Sequence, residues 1–403
     1  MKKRTYALDL SALAYPLMRS RRAQSVFRYT ALLDRPIDGD VLRRSAEAVL
    51  PSYPNFRSIV VRGFFWHKLR ENDAPILVKE DVRPPLRPFR KEDTNGYPFR
   101  LAFKAREIVL EVFHAVADGK SAGDFFSDIL CAYVALRENA EIGKRTDPRS
   151  LTDPFLAFGK KRPLREMSVK RYNGKSVVAL GNHGNYEKVP RLLSETTDLT
   201  ALKERAKSEN VTLTEYLAAA YIATVLSAEP LPLVKPLSLF IPVDLRRFFP
   251  TDTLLNFICF ERITLPKGTG ELPFPYLLRE VREQFREKIT EENMQRNVDD
   301  VVTCFTLPLI ARIPLFVKSP CFRLAKKLAN KVRQTAILSN VGVFRLPPEA
   351  EAHVREVRLF LNINRNAPLN VAVNTYAGKC FLNVTCGLKN TTLPENFFRC
   401  FRP

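Results

Sequence analysis

The stretch that decides the fold of this chain reads Glu107-Ile-Val-Leu-Glu-Val-Phe113 and then His114-Ala-Val-Ala-Asp118-Gly119. Its first part is rich in β-branched and aromatic residues, which is typical of a strand covered on both faces. After the glycine, Ser121 and Asp124 form a capping-box pattern, and apolar residues recur at helical spacing as far as Leu136. The stretch therefore predicts a buried strand, a tight turn and a helix, with a histidine held between them.

His114 is the candidate catalytic residue of this stretch. Imidazole is the side chain that can be neutral near pH 7 and still accept a proton readily. Asp118 lies four residues later, where its carboxylate can hold the turn in shape, and Gly119 permits backbone angles that other residues resist. The same spacing also suits a core histidine followed by an ordinary Asp-Gly turn, so the residues alone leave both interpretations open.

The sequence from His114 to Gly119 resembles the HxxxDG motif of the CoA-dependent acyltransferase superfamily. That superfamily includes chloramphenicol acetyltransferase, alcohol acetyltransferases, plant BAHD acyltransferases and the condensation domains of peptide synthetases. Further segments resemble the superfamily in the same order along most of the chain: the first helix and its YP.FR exit (Asp40–Arg57), the PVNLR strand (Pro242–Arg246), the asparagine-containing segment (Asn256-Phe257) and the SNxG strand (Ser339–Gly342).

The resemblance implies a mixed α/β (α+β) fold built from two chloramphenicol-acetyltransferase-like subdomains. Each subdomain would be a mixed sheet with helices, and the active-site tunnel would lie at their interface. We expect residues 1–150 to form the N-terminal subdomain with the HxxxDG motif and residues 191–403 to form the C-terminal subdomain. Residues 151–190 would be the crossover linker, because Gly, Asn, Lys and Arg are frequent there and periodicity is weak.

The resemblance also implies roles for individual residues. His114 would be the general base that deprotonates a hydroxyl, in preference to an amine, as it attacks the thioester of acyl-CoA or an acyl-carrier protein. Asp118 would pair with Arg246 and shape the loop, together with Gly119, without touching substrate. Four residues would line the C-terminal side of the tunnel, although they are equally compatible with capping strands: Asn256, Ser339, Asn340 and Gly342. Neither a metal nor a bound cofactor is expected.

Two sequence features narrow the reaction. Phe113 stands where condensation domains usually carry a second histidine, which favours O-acyl transfer over amide formation. No G-x-S-x-G nucleophile elbow is present, so direct transfer without an acyl-enzyme is expected. The alternatives that stay open are a condensation-type amide-forming enzyme and a catalytically silent relative that binds an acyl carrier or a lipid.

The composition is that of a folded but strongly basic protein. The chain has 403 residues, 45% of them hydrophobic, and a formal net charge of +21, which makes an anionic partner plausible. No zinc-finger, RNA-recognition or aromatic-interleaved basic pattern occurs, so nucleic acid is not expected. Residues 301–333 combine apolar and basic stretches, which predicts either core helices with a solvated basic face or a docking surface for CoA, a carrier protein or membrane lipid. The candidate docking residues are Lys318, Arg323, Lys326 and Lys327.

The location is predicted from cysteines and from the start of the chain. Seven cysteines without a C-x-x-C pair suggest reduced thiols in a cytoplasmic protein. Asp9 interrupts the first apolar run and Arg19 follows soon after, which argues against a signal peptide. We expect a cytoplasmic monomer, with peripheral association at the inner membrane surface and acylation of a lipid alcohol as an option. His67, His183 and His353 are assigned no role.

Overall fold

In the computed structural model, which describes residues 3–18, 25–143, 149–167, 177–180, 185–329 and 334–402, the strands form three sheets flanked by helices. The elements of the first part of the chain are β1 (Thr5–Ala7), α1 (Ala14–Met18), β2 (Val26–Leu33), α2 (Gly39–Val49), β3 (Ser58–Arg62), β4 (His67–Glu71), β5 (Val78–Glu80), α3 (Lys91–Thr94), β6 (Phe99–Lys104), β7 (Glu107–Phe113), α4 (Gly119–Arg137) and α5 (Pro154–Phe158).

The elements of the second part are β8 (Tyr186–Asp198), α6 (Leu199–Ser208), α7 (Leu213–Leu226), β9 (Leu237–Asp244), β10 (Ile258–Leu265), α8 (Phe274–Lys288), α9 (Glu291–Thr306), α10 (Pro308–Ala311), α11 (Leu315–Ala329), β11 (Ala336–Val343), α12 (Pro348–Glu351), β12 (Val354–Phe360), β13 (Leu369–Tyr376), β14 (Lys379–Leu388) and α13 (Thr392–Arg399). Among the described helices, none is both long and apolar enough to cross a bilayer.

β7 is the central strand of the N-terminal sheet, as its composition predicts. The strand order is β12-β2-β7-β6-β5, and β7 pairs antiparallel with β2 and β6 on either side. Every residue of β7 after Glu107 is buried. Helices α2 and α4 pack together, and Phe125 of α4 stacks on Phe56 with ring centroids 4.1 Å apart. The strand that carries the histidine motif therefore stands on a rigid apolar core.

The C-terminal sheet is mixed. Its order is β10-β9-β11-β13-β14-β8; β11 runs parallel to β9 and β13, and the other pairs are antiparallel. Its core includes buried side chains from α7, α8 and α13. A third, small sheet joins β1, β4 and β3, in which β3 and β4 form a hairpin. The mixed α/β fold class is confirmed.

One strand crosses between the two parts of the chain. β12 comes from the second part but pairs antiparallel with β2 at the edge of the N-terminal sheet. At the other boundary, the 13-residue strand β8 begins inside the predicted linker. The subdomain limits 1–150, 151–190 and 191–403 stay predictions.

Local sequence signals locate several helix starts, with small corrections. The capping box of Thr212 and Glu215 at the start of α7 is present. α4 begins at Gly119 with Asp118 as its N-cap, so the cap lies three residues before Ser121, the N-cap that the capping-box pattern predicts. Because of this shift, the aspartate of the motif also caps the helix, where its side chain accepts the amide of Ser121.

Candidate active site

His114 lies at the end of β7, where the chain turns toward α4. Its backbone N–H donates to the carbonyl of Ser25 at 2.7 Å, which extends the pairing of β7 with β2 by one residue. The imidazole is half-buried between two aromatic rings. Tyr15 of α1 stacks on it with centroids 4.9 Å apart, and Phe27 of β2 meets it edge-on at 5.1 Å. The two rings restrict the imidazole to one orientation.

The hydrogen-bond network assigns the tautomer of His114. Its Nδ1 lies 3.0 Å from Oδ1 of Asn256, and Nδ2 of Asn256 donates to Oδ2 of Asp9 at 3.0 Å. Because the carboxylate can only accept, the amide oxygen of Asn256 faces the histidine and accepts from Nδ1–H. Nε2 is then the unprotonated nitrogen of the neutral ring. No described residue hydrogen-bonds to Nε2, so its lone pair is available to a ligand.

Asp9 anchors this network, and the sequence analysis did not identify it as a site residue. It is fully buried, and its carboxylate accepts from the hydroxyl of Ser11, the amide of Ala12, and both the amide and Nδ2 of Asn256. Burial raises the pKa of Asp9, while these donors oppose the rise. Burial, followed by the nearby charge of Asp9, raises the pKa of Asp153 to about 6. The available sequence signal was an acidic residue inside an apolar run.

Asp118 and Arg246 form a buried ion pair across the two parts of the chain. Oδ2 of Asp118 lies 2.7 Å from Nη1 of Arg246 and also accepts the amide of Phe257, and Oδ1 accepts the amide of Ser121. Burial alone would raise the pKa of Asp118, but the charge of Arg246 and the two amides outweigh it and hold that pKa below its usual range. Neither side chain of the pair hydrogen-bonds to the imidazole, so they act on it through the shape of the turn and through the charge of Asp118.

Gly119 is required for close packing and not for its backbone conformation. It is the first residue of α4, and its φ lies outside the left-handed region, so backbone freedom is not what this position requires. A Cβ at this position would lie 3.3 Å from Cγ1 of Val341, and the Gly119 carbonyl accepts the hydroxyl of Tyr29 at 2.8 Å. Glycine therefore allows β11 to approach the start of α4, which brings the SNxG segment next to the histidine motif.

Asn340, the central polar residue of the SNxG segment, hydrogen-bonds to α7 and to its own strand. Asn340 donates from Nδ2 to Oγ1 of Thr214 and accepts the amide of Gly342, both at 3.0 Å. Gly342 has a φ of +76°, a conformation that favours glycine, at the irregularity in β11. Ser339 is buried. Within the described part of the chain none of the three hydrogen-bonds to His114, and their role as tunnel-lining residues stays a prediction.

Asn55 is a further residue that the sequence analysis did not single out. It lies in the predicted YP.FR exit, is fully buried, and donates from Nδ2 to the carbonyl of Val116 at 3.0 Å and to that of Leu254 at 3.1 Å. One side chain thus ties the turn after His114 to the segment that carries Asn256.

Of the four predicted docking residues, the structure describes the side chain of Lys318, and it points into the protein. The Lys318 side chain is buried, with Nζ 3.1 Å from the centroid of the Trp66 ring and donating to the carbonyl of Phe65 at 3.0 Å. Burial lowers the pKa of Lys318 to about 8. Its ammonium is therefore not offered to a large anionic partner. The other three candidates belong to the same helix, but their side chains lie outside the described set: Arg323, Lys326 and Lys327.

His114 is suited to act as a base near neutral pH. Burial lowers the pKa of its imidazole, and the charge of Asp118 and the bond to Asn256 oppose that effect without cancelling it. The neutral ring, with Nε2 as acceptor, is therefore the main form at pH 7. Among the described residues, no group of three or more His, Cys, Asp or Glu side chains is arranged to hold a metal ion.

The chain shares its fold with solved acetyltransferase and condensation-domain structures, so the predicted resemblance is confirmed at the level of fold. No protein-family model matches the sequence, and the curated proteins gave no significant match. Among solved structures, polyketide synthase associated protein 5 from Mycobacterium tuberculosis has a TM-score of 0.66 at 16% identity, covering 99% of this chain and 98% of its own.

Two further solved structures share the fold over nearly the whole chain. Trichothecene 15-O-acetyltransferase from Fusarium sporotrichioides has a TM-score of 0.65 at 12% identity, with 99% and 94% of the two chains covered. A variant of the starter condensation domain of rhizomide synthetase, solved in complex with C8-CoA, has a TM-score of 0.62 at 13% identity, with 98% and 93% covered.

Replacing Arg246 with methionine should destabilise the protein, because the buried charge of Asp118 then has no opposite charge beside it. We expect the free energy of unfolding to fall by about 3–5 kcal/mol, measured by urea denaturation followed by circular dichroism. The control is Arg247→Met, since the adjacent Arg247 is exposed; its effect should stay within about 0.5 kcal/mol. Equal stability of the two variants would contradict a structural role for the ion pair.

Proposed function

We propose that this protein is an O-acyltransferase that moves an acyl group from a thioester to a hydroxyl, with His114 as the general base. The observation that carries the proposal is the state of the imidazole, in which Nδ1–H is tied to Asn256 and Nε2 is free to accept a proton. An amine is the second choice of acceptor. The shared fold with an acetyltransferase and a condensation domain supports acyl transfer in general.

The reaction needs only one proton-transfer group. Nε2 of His114 takes the proton of the hydroxyl as its oxygen attacks the thioester carbonyl carbon. The tetrahedral intermediate then collapses, the C–S bond breaks, and the imidazolium returns the proton to the leaving thiolate. The products are an ester and a free thiol, and no acyl-enzyme forms. General-base help of this kind contributes about 10²–10⁴ in rate.

The donor in this proposal is acyl-CoA or an acyl-carrier thioester. The formal charge of +21 favours the approach of a phosphate-bearing donor. The starter condensation domain that shares the fold was solved with C8-CoA, which supports CoA as the first donor to test. We propose further that the protein works as a cytoplasmic monomer.

A competing proposal is a silent relative that binds the thioester without reacting. One assay distinguishes the two proposals. The protein is incubated with CoA thioesters from acetyl to palmitoyl and a panel of primary alcohols and amines, and free thiol and product mass are then measured. Ester formation supports the proposal. Amide formation alone indicates a condensation-type enzyme, and binding without thiol release indicates the silent relative.

The variant His114→Ala should lose about 10²–10⁴ in turnover while keeping its circular dichroism spectrum, because only the base is removed. His353→Gln is the matched control, since His353 bonds to Asp34 through Nδ1 at 2.9 Å and has no part in the proposed chemistry. A folded alanine variant with undiminished turnover would rule out His114 as the base.

The pH dependence of kcat/KM should show a single rising limb with an apparent pKa below 6.5. The base works only when neutral, and burial lowers the pKa of His114, so activity increases with pH through that value and levels off above it. A rate series with a CoA thioester and a non-ionising alcohol measures it. A midpoint clearly above 6.5 that disappears in His114→Ala would contradict the assigned environment.

The variant Asn256→Ala should reduce kcat about tenfold, the equivalent of one hydrogen bond of ~1.4 kcal/mol, with little change in the donor KM. Its acidic limb should also move to lower pH, because the bond to Asn256 raises the pKa of His114. The shift of the limb distinguishes a positioning role from a loss of folded protein, which would lower kcat and leave the limb in place.

A further inference from the structure

Among its described side chains, helix α11 turns a lysine inward and several apolar residues outward, the reverse of the usual arrangement. Lys318 points inward and is buried, whereas Phe316 is 73% exposed, and Val317 and Leu324 are also exposed. Pro320 and Cys321 lie on the same outward side. A helix on a protein in water normally turns its apolar residues inward and its lysines outward. The outward face of α11 is therefore suited to surroundings other than water.

Lys318 fixes this reversed helix to the tip of the β3–β4 hairpin. Its Nζ donates to the carbonyl of Phe65 and covers the ring of Trp66. The amide of Leu315, at the start of α11, donates to the carbonyl of Phe64 at 2.7 Å. No carboxylate of the described residues lies within ion-pair distance of Lys318. The lysine thus serves as an internal clamp between the helix and the hairpin.

The hairpin tip extends the exposed apolar region. Phe64 and Phe65 contact each other edge-on at 4.8 Å, and Phe64 is 66% exposed. Leu309 of α10, shortly before α11, is 78% exposed. Isolated exposed apolar residues are ordinary, but a cluster on adjacent segments marks an interaction site. We call this cluster the apolar face; it consists of Phe64, Phe65, Leu309, Phe316, Val317 and Leu324.

The charge of the sequence around the apolar face has one sign. From Val301 to Pro348 the chain contains eight Lys and Arg residues and no Asp or Glu. Among the described residues near the face, Arg62 and Lys68 beside the hairpin tip and Arg312 before α11 are exposed. Aromatic side chains with basic neighbours are the composition of segments that lie in the interface of an anionic membrane.

We propose that the apolar face docks this protein on the surface of an anionic lipid bilayer. The phenylalanines and leucines would enter the boundary between headgroups and acyl chains, and the exposed arginines and lysine would meet the lipid phosphates. Pairing with a second copy is less suited to this face, because it would bring two basic segments together. Docking requires no chemistry at His114, so it stands or falls independently of the proposed acyl transfer.

The position of the face also relates it to the candidate active site. Helix α1 packs against α11. Tyr15 of α1 stacks on His114, while Met18 at the other end of the same short helix is exposed. Given the proposed function, a membrane on this face would place the hydroxyl of a lipid near α1, the helix that packs on His114.

The test is co-sedimentation of the full chain with vesicles, in the absence of any substrate. Wild type should bind vesicles of phosphatidylglycerol and phosphatidylcholine and should bind pure phosphatidylcholine at least about tenfold more weakly, with added salt reducing the difference. Phe64→Ser combined with Phe316→Ser should weaken binding to the anionic vesicles at least about tenfold. Val82→Ser combined with Val234→Ser is the matched control, because these residues are equally exposed elsewhere, and it should bind like wild type.

A fluorescent label reports which face enters the bilayer. Cys321 and Cys400 are both exposed, so an environment-sensitive dye is attached to Cys321 in Cys400→Ser and to Cys400 in Cys321→Ser. Anionic vesicles should shift the emission of the first to the blue and leave the second unchanged. The proposal is overturned if vesicles do not bind, if the serine variant binds like wild type, or if sedimentation velocity shows that the face holds a second copy or another protein instead.

Discussion

The candidate site depends on one buried ion pair, between Asp118 and Arg246. The Asp118 carboxylate accepts hydrogen bonds from three groups: the guanidinium of Arg246, the amide of Phe257 next to Asn256, and the amide of Ser121 in its own helix. It therefore joins the turn after His114 to the segment that carries the asparagine. Without this ion pair, the distance between Nδ1 of His114 and Oδ1 of Asn256 would depend on two segments that are not held together.

A second network, built on Asp9, sets the protonation of the ring. A buried carboxylate that fills its lone pairs with N–H and O–H donors fixes the direction of the Asn256 amide, and the amide fixes the tautomer of His114. Tyr15 and Phe27 hold the ring plane. The nitrogen that carries no proton is thus specified by neighbouring side chains, an arrangement in which surrounding residues orient a candidate reactive one.

Much of the strand, turn and helix around His114 was predictable, because β-branched residues, an Asp-Gly turn and helical spacing are local signals. The pairing of Asp118 with Arg246 was implied only by resemblance. The contacts of Asp9 with Asn256 and of Tyr15 with His114 join residues that are far apart in the sequence and leave no local periodicity, so they could not be read from spacing. Lys318 shows a different limit. A basic residue on a helix is expected to face water, and only packing against Trp66 reveals that it does not.

The strand β12 has a consequence for how the molecule can move. Because it leaves the second part of the chain to complete the edge of the N-terminal sheet beside β2, the two parts cannot swing apart as a hinge without breaking a strand pair. A fragment ending before β12 would also leave β2 as a bare sheet edge, which invites pairing between molecules.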